Sequence, residues 1–186
     1  MYRTRIKGLV GAFPFERPAS KARIVIIGIG NEFQRDDGVG LFVVQELRAR
    51  ELPADVVTFQ CRQGLALMEL WRDKEMAILV DAVTSGAAPG SIFRFEAQME
   101  SPAEPRFSGT THDYGLREAI ELGKALNSLP RRVIVYGIEG KRFDAGRGLS
   151  IDVETAAGGV VQSIAKEVWG AKEVITVDPR SRISIS

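Results

Sequence analysis

The stretch Gly28-Ile29-Gly30-Asn31-Glu32-Phe33-Gln34-Arg35-Asp36-Asp37-Gly38-Val39-Gly40 constrains this chain more than any other. Ahead of it stands the apolar run Ile24-Val25-Ile26-Ile27. Behind it, Val39, Val43 and Leu47 recur at four-residue spacing with Val44 beside them. That order predicts a buried strand, a glycine-rich turn and a helix whose first turn carries two carboxylates. In an open α/β sheet, ligands bind where strands end and helices begin. Two acids at such a crevice suit a metal or another cation better than a phosphate.

The remaining elements follow in α/β order. Val56-Val57-Thr58-Phe59 reads as a second strand, ending at Cys61-Arg62-Gln63-Gly64, and a short helix puts Leu67, Leu70 and Trp71 on one face. Met76-Ala77-Ile78-Leu79-Val80 is a third buried strand with Asp81 at its end. After the turn signal Pro89-Gly90, the segment from Ser91 to Ala97 alternates strictly: Phe93 and Phe95 face one way, Arg94 and Glu96 the other. Period two marks an edge strand with one wet face, and the short connection makes it antiparallel. A helix is expected to start near His112 or Asp113, with Thr111 as N-cap and Leu116, Ala119 and Ile120 inward. Val133-Ile134-Val135-Tyr136-Gly137-Ile138 is a fifth strand. In the last helix Val153, Ala156, Ala157, Val160, Val161, Ile164, Ala165 and Val168 keep helical spacing. Gly158 and Gly159 interrupt that helix, each at a cost of about 1 kcal/mol against alanine, and close packing on the sheet is the expected reason.

With 186 residues the chain is most simply one domain, read as an N-terminal extension over 1–20, an α/β domain over 21–170 and a tail over 171–186. The net charge of +1 gives no electrostatic case for nucleic acid. One cysteine, Cys61, excludes an internal disulfide and fits a reducing compartment. The longest apolar run falls far short of the roughly 20 residues of a membrane span. Arg3, Arg5 and Lys7 precede a short apolar run as in a signal peptide, but Pro14 and Glu16 interrupt it and no clean cleavage site follows. The expected location is the cytoplasm.

A single histidine prunes the chemistry. No H-E-x-x-H zinc helix, two-histidine facial triad or Cys2His2 finger can be built, so imidazole chemistry must use His112. Taken singly, His112 reads as a capping or solvent-facing histidine and Asp81 as a turn cap. Of Asp36 and Asp37, one caps the helix and the other points at a ligand. Taken together, the junctions after strands one, three and four supply Asp37, Asp81 and His112. Such an O/O/N set suits a divalent transition ion with open positions.

Other constellations fare worse. The turn lacks the third glycine of a dinucleotide fingerprint, and Gly-x-Ser-x-Gly is absent. Cys61 reads as a buried structural cysteine rather than half of a thiol pair. A phosphoacceptor receiver would use Asp36 and Asp37 as its acid pocket, Asp81 as acceptor and Lys141 as the basic partner. The glycine-rich loop between strand one and the acids argues against it.

The G-x-G-N-x-x-x-x-D-D-G-x-G pattern resembles the first motif of the hydrogenase maturation endopeptidases. Leu79-Val80-Asp81-Ala82-Val83 with Pro89-Gly90-Ser91 resembles the second acidic strand end. Thr111-His112-Asp113-Tyr114-Gly115-Leu116 resembles the histidine motif. Val135-Tyr136-Gly137-Ile138-Glu139 and Gly148-Leu149-Ser150 resemble the last strand and loop. The resemblance covers about residues 22–170. It implies a twisted sheet between helices, which with the element order gives a three-layer α/β/α fold: a mostly parallel five-stranded sheet with one antiparallel edge strand.

By the same resemblance the chain removes a short C-terminal extension from the large-subunit precursor of a nickel–iron hydrogenase after nickel insertion. Asp37, Asp81 and His112 would contact the metal. The nickel would be carried by the precursor, and other divalent ions could occupy the site. Gly30, Asn31, Arg62, Gln63 and Gly64 would line the substrate path. Members often carry an acidic or Gly-Gly-Thr turn after strand two, so Cys61-Arg62-Gln63-Gly64 bears on which precursor is cut. The free protein is expected to be a monomer. A non-cleaving nickel-centre chaperone is the remaining alternative.

Overall fold

Runs of β-branched and aliphatic residues form the sheet: β1 (Ile24–Ile29), β2 (Val56–Cys61), β3 (Met76–Val83), β4 (Ile92–Glu96) and β5 (Arg132–Glu139). Between them lie α1 (Val39–Arg48), α2 (Ala66–Leu70), α3 (Leu116–Ala125) and α4 (Ile151–Trp169). The computed structural model describes residues 22–62, 66–99 and 115–169. His112, Thr111, Gln63, Gly64, the N-terminal extension and the C-terminal tail lie outside the described residues.

The strand order is β2-β1-β3-β5-β4, with β4 antiparallel to β5 and the other pairings parallel. The mixed five-stranded sheet and its antiparallel edge strand match the expected architecture. Alternation of side chains along buried strands builds a core on each face. Ile26, Ile78, Val80 and Ile138 pack against Val43, Leu47, Val160 and Ile164 of α1 and α4. Val25, Ile27, Leu79 and Val135 pack against Leu67, Trp71 and Ile120 on the side of α2 and α3. Each fully buried aliphatic side chain contributes about 1.5–3 kcal/mol of hydrophobic stabilisation. Among the described residues no helix is long and apolar enough to cross a membrane.

Three local expectations are corrected. First, β3 does not stop at Val80. It runs on to Val83, and Asp81 sits in the ladder opposite Gly137. The strand continues because Ala82 and Val83 are themselves apolar and buried. Second, α3 begins at Leu116 rather than at His112 or Asp113. The N–H of Gly115 donates to the Glu118 carboxylate (2.9 Å), a cap supplied from inside the first turn. Third, Gly158 and Gly159 face solvent: a Cβ at Gly158 would meet nothing within 4 Å, and one at Gly159 only Ile92 at 3.7 Å. Close packing on the sheet therefore does not explain them.

The close approach occurs instead between β1 and α1. A Cβ on Gly28 would lie 2.0 Å from the carbonyl oxygen of Gly40. One on Gly40 would lie 2.3 Å and 2.4 Å from the carbonyl oxygens of Ile29 and Val80. Only glycines let α1 settle directly onto β1 and β3, and this seats the acidic turn over their carboxyl ends.

Candidate active site

In this strand order, the connection after β1 leads outward to β2, while the chain after β3 leads to the other half of the sheet. The gap between β1 and β3 is thus the switch point, where ligands bind in open α/β sheets. Asp37 reaches it from the turn after β1, and Asp81 from β3 itself.

Asp36 and Asp37 lie in a 3-10 turn, Arg35–Gly38, that precedes α1. Gly30 holds this turn in place. Its φ of 136° is in the glycine region, and a Cβ there would sit 1.8 Å from the backbone oxygen of Asp37. Its N–H donates to the carbonyl of Cys61 (3.1 Å), which fastens the motif to the end of β2. Asn31 folds the turn on itself. Its Oδ1 accepts from the Phe33 N–H (3.1 Å), and its amide donates to the Gln34 side chain (3.2 Å). Two of the predicted substrate-path residues thus shape the backbone beside Asp37. Arg62 is exposed just past β2.

Asp81 is buried and its Oδ1 accepts from the Ala82 N–H (2.9 Å). Burial first, and then the negative charge of Asp37, push its carboxyl up to about 8, with the Ala82 hydrogen bond working the other way. Desolvation disfavours the charged form, and a like charge nearby disfavours it further. Asp37 is also buried. Two carboxylates brought together out of water, one of them strongly perturbed, form an arrangement that a cation would stabilise. The donor set therefore fits a divalent metal. Among the described residues no group of three potential ligands is complete, and the expected third, His112, lies outside them.

Asp36 has a different task from the one expected. Neither end of the turn shows a side-chain cap, and Asp36 does not cap α1. Its fully buried carboxylate accepts from the N–H groups of Lys141 (2.9 Å), Arg142 (2.8 Å) and Ser150 (2.6 Å), and from the Ser150 hydroxyl (2.6 Å). Burial would raise its pKa, but these bonds, led by Ser150, outweigh it and hold the carboxyl below its ordinary value. The loop after β5 brings more donors to Asp36 than its own helix can, and so it wins the side chain.

Glu139, at the end of β5, is a second organiser that the sequence reading did not single out. It is buried and accepts from the Ser85 N–H (2.9 Å) and hydroxyl (2.7 Å) and from the Gly86 N–H (2.9 Å). The signal was present: Glu139, like Asp81, is an acid that follows a long run of strand-forming residues, here Val133 to Ile138. Cys61 is buried, as expected for a structural cysteine.

A family model described as hydrogenase maturation protease (HycI) matches residues 43–167. The chain belongs to the hydrogenase maturation protease family. A putative hydrogenase maturation protease of Methanocaldococcus jannaschii is 32% identical over 154 residues, 80% of this chain and 97% of that one. The hydrogenase expression/formation protein HupD of Bradyrhizobium diazoefficiens is 29% identical over 123 residues, 63% of this chain and 62% of its own. The chain spans about three fifths of the length of the HupD proteins it matches. The hydrogenase maturating endopeptidase HybD of E. coli shares the fold, with a TM-score of 0.69 at 22% identity over 80% of this chain and 94% of that one. Family membership displaces the receiver alternative. In keeping with this, the Lys141 ammonium pairs with Asp152 on α4 at 3.3 Å rather than serving Asp81.

Proposed function

We propose that this chain is the endopeptidase that removes the C-terminal extension of a nickel–iron hydrogenase large-subunit precursor once nickel has been inserted. The observation that carries the reading is the pairing of buried Asp81 with Asp37 at the switch point of the sheet, in a chain of this family. Asp37, Asp81 and His112 would grip the precursor's nickel, and another divalent ion of similar preference could replace it in vitro. When bound, such an ion supplies Lewis acidity at the scissile carbonyl. The chain's own groups would do the rest. Gly30 and Asn31 leave a tight backbone surface against which the peptide can lie. Asp37 and Asp81 fix its position relative to the metal, and one of them accepts a proton from the attacking water. Arg62, Gln63 and Gly64 would face the flanking substrate. The proposed setting is the cytoplasm, with a monomer acting on one folded precursor.

Replacing His112 with alanine should abolish release of the C-terminal peptide from a nickel-loaded precursor, read by mass spectrometry, while circular dichroism stays unchanged. Processing at the normal rate by that variant would sink the metal-trio reading. Failure of the unaltered protein to release any peptide, despite binding the precursor, would favour the non-cleaving chaperone.

A further inference from the structure

β2 is the outer strand on the side of the sheet next to the motif, and no described strand pairs with its far edge. Such an edge presents N–H and C=O groups ready to pair with an added strand. The Cys61 carbonyl turns inward to Gly30, and backbone groups of successive residues turn to opposite sides of a strand. Val56, Thr58 and Gln60 therefore turn outward. Two of these are partly engaged: the Val56 N–H donates to Pro53 (2.9 Å), and the Thr58 carbonyl accepts from the Arg48 guanidinium (2.9 Å). The Arg48 contact confirms the outward direction and guards the lower part of the edge. What remains is the backbone of Gln60, whose side-chain amide donates to the Leu41 carbonyl (3.0 Å), at the end nearest Asp37.

There the edge opens into a cleft of about 310 Å³, lined by Leu41, Phe42 and Leu149 beside Gln60, with Arg35 and Gln45 adding polar groups. Gly38, the residue after Asp37, also lines it, so the cleft is continuous with the acidic turn. On its rim the Arg147 guanidinium lies 4.6 Å from the centre of the Phe33 ring. It also pairs with the Glu32 carboxylate at 3.6 Å, an ion pair exposed on both sides, with the Arg147 side chain 69% exposed. A guanidinium held over a ring by its carbon keeps N–H groups at its edge, which can receive a substrate carboxylate in exchange for the exposed Glu32 pair.

We propose that the precursor's C-terminal extension docks as an added strand on the outer edge of β2 at Gln60, with an apolar side chain in this cleft and a carboxylate on Arg147. The proposal rests on the peptidase reading and adds to it the surface that selects the substrate. Strand addition draws affinity from main-chain bonds and specificity from neighbouring pockets. The edge hands the chain directly to the turn that carries Asp37.

The test uses the full chain with a nickel-loaded large-subunit precursor. Hydrogen exchange of the outward Thr58 and Gln60 N–H groups should slow at least tenfold when the precursor binds. In processing assays Gln60→Pro, which removes the outward N–H at an edge position where proline is tolerated, should raise KM about tenfold or more with little change in kcat. Gln60→Ala keeps the N–H and should raise KM less, and Arg147→Glu should raise it as well. Unchanged exchange of the outward N–H groups on binding overturns the proposal, as does protection of the Thr58 and Gln60 N–H groups already present in the free chain, which would mean that the chain covers its own edge. KM values unmoved in folded variants overturn it too. If the unaltered protein binds the precursor but cuts nothing, the peptidase reading falls while the exchange measurement still decides the docking edge.

Discussion

Among the described residues, four acids are buried at the carboxyl end of this sheet, and they fall into two kinds. Asp36 and Glu139 are surrounded by donors: each ties a neighbouring loop to the sheet through backbone N–H groups and a serine hydroxyl. Asp81 takes a hydrogen bond from its own neighbour and faces the charge of Asp37. The first pair stabilises the walls of the crevice; the second holds unfavourable electrostatics at its centre. Burial alone therefore does not mark a functional acid. What sets Asp81 apart is burial answered by the Ala82 hydrogen bond and opposed by the charge of Asp37.

Asp81→Asn should give the largest functional effect and no structural cost. Processing of a nickel-loaded precursor should fall at least a hundredfold, since the carboxylate proposed to face the metal is lost. The melting midpoint at neutral pH should stay level, because a carboxyl pushed up to about 8 is already mostly neutral there and the amide replaces it without adding charge. A lower midpoint together with retained processing would place Asp81 with the wall-building acids and erase the distinction.

Asp36→Ala should do the reverse. Three backbone N–H groups and a hydroxyl would lose their acceptor, a loss on the order of 3–5 kcal/mol in chemical denaturation. Glu139→Gln keeps one acceptor oxygen and holds a half-buried loop, so a loss of about 1–2 kcal/mol is expected. If both variants were as stable as the unaltered chain, the loops would be held by something other than these carboxylates.

Much of the architecture was legible because strands buried on both faces must read as apolar runs, and α4 must keep its 3.6-residue spacing. The antiparallel edge was visible in the alternation of Phe93, Arg94, Phe95 and Glu96. Asp37 and Asp81 stood out as acids beside apolar strands. The partner of Asp36 was not legible: Ser150 is 114 positions away in sequence, and no local pattern announces a bond that the tertiary fold creates. The glycine pair in α4 misled for the opposite reason. Glycine signals close approach only where the backbone on the other side is known, and here that place was Gly28 against Gly40.

The smallest effect is expected at Glu167, a donor-rich, half-buried acid at the margin where α4 packs on the same sheet. Its carboxylate accepts from Arg94 (2.9 Å) and from the Tyr136 hydroxyl (2.5 Å), joining α4 to β4 and β5. Burial pushes its pKa up, but the Arg94 and Tyr136 hydrogen bonds outweigh this and leave it below the ordinary value. Burial and the Glu167 contact in turn push the Tyr136 hydroxyl up to about 12. Because the folded pKa of Glu167 is depressed, its stabilisation is complete above the unfolded value of about 4.3 and fades as pH falls through the folded one. Glu167→Gln should therefore cost about 1 kcal/mol at pH 7, a modest figure for a solvent-screened cluster, and almost nothing near pH 3. Urea midpoints of the two proteins across that range should converge on acidification. A gap that persisted at pH 3 would mean that Glu167 works through packing, and that donor-rich acids in this fold stabilise it without their charge.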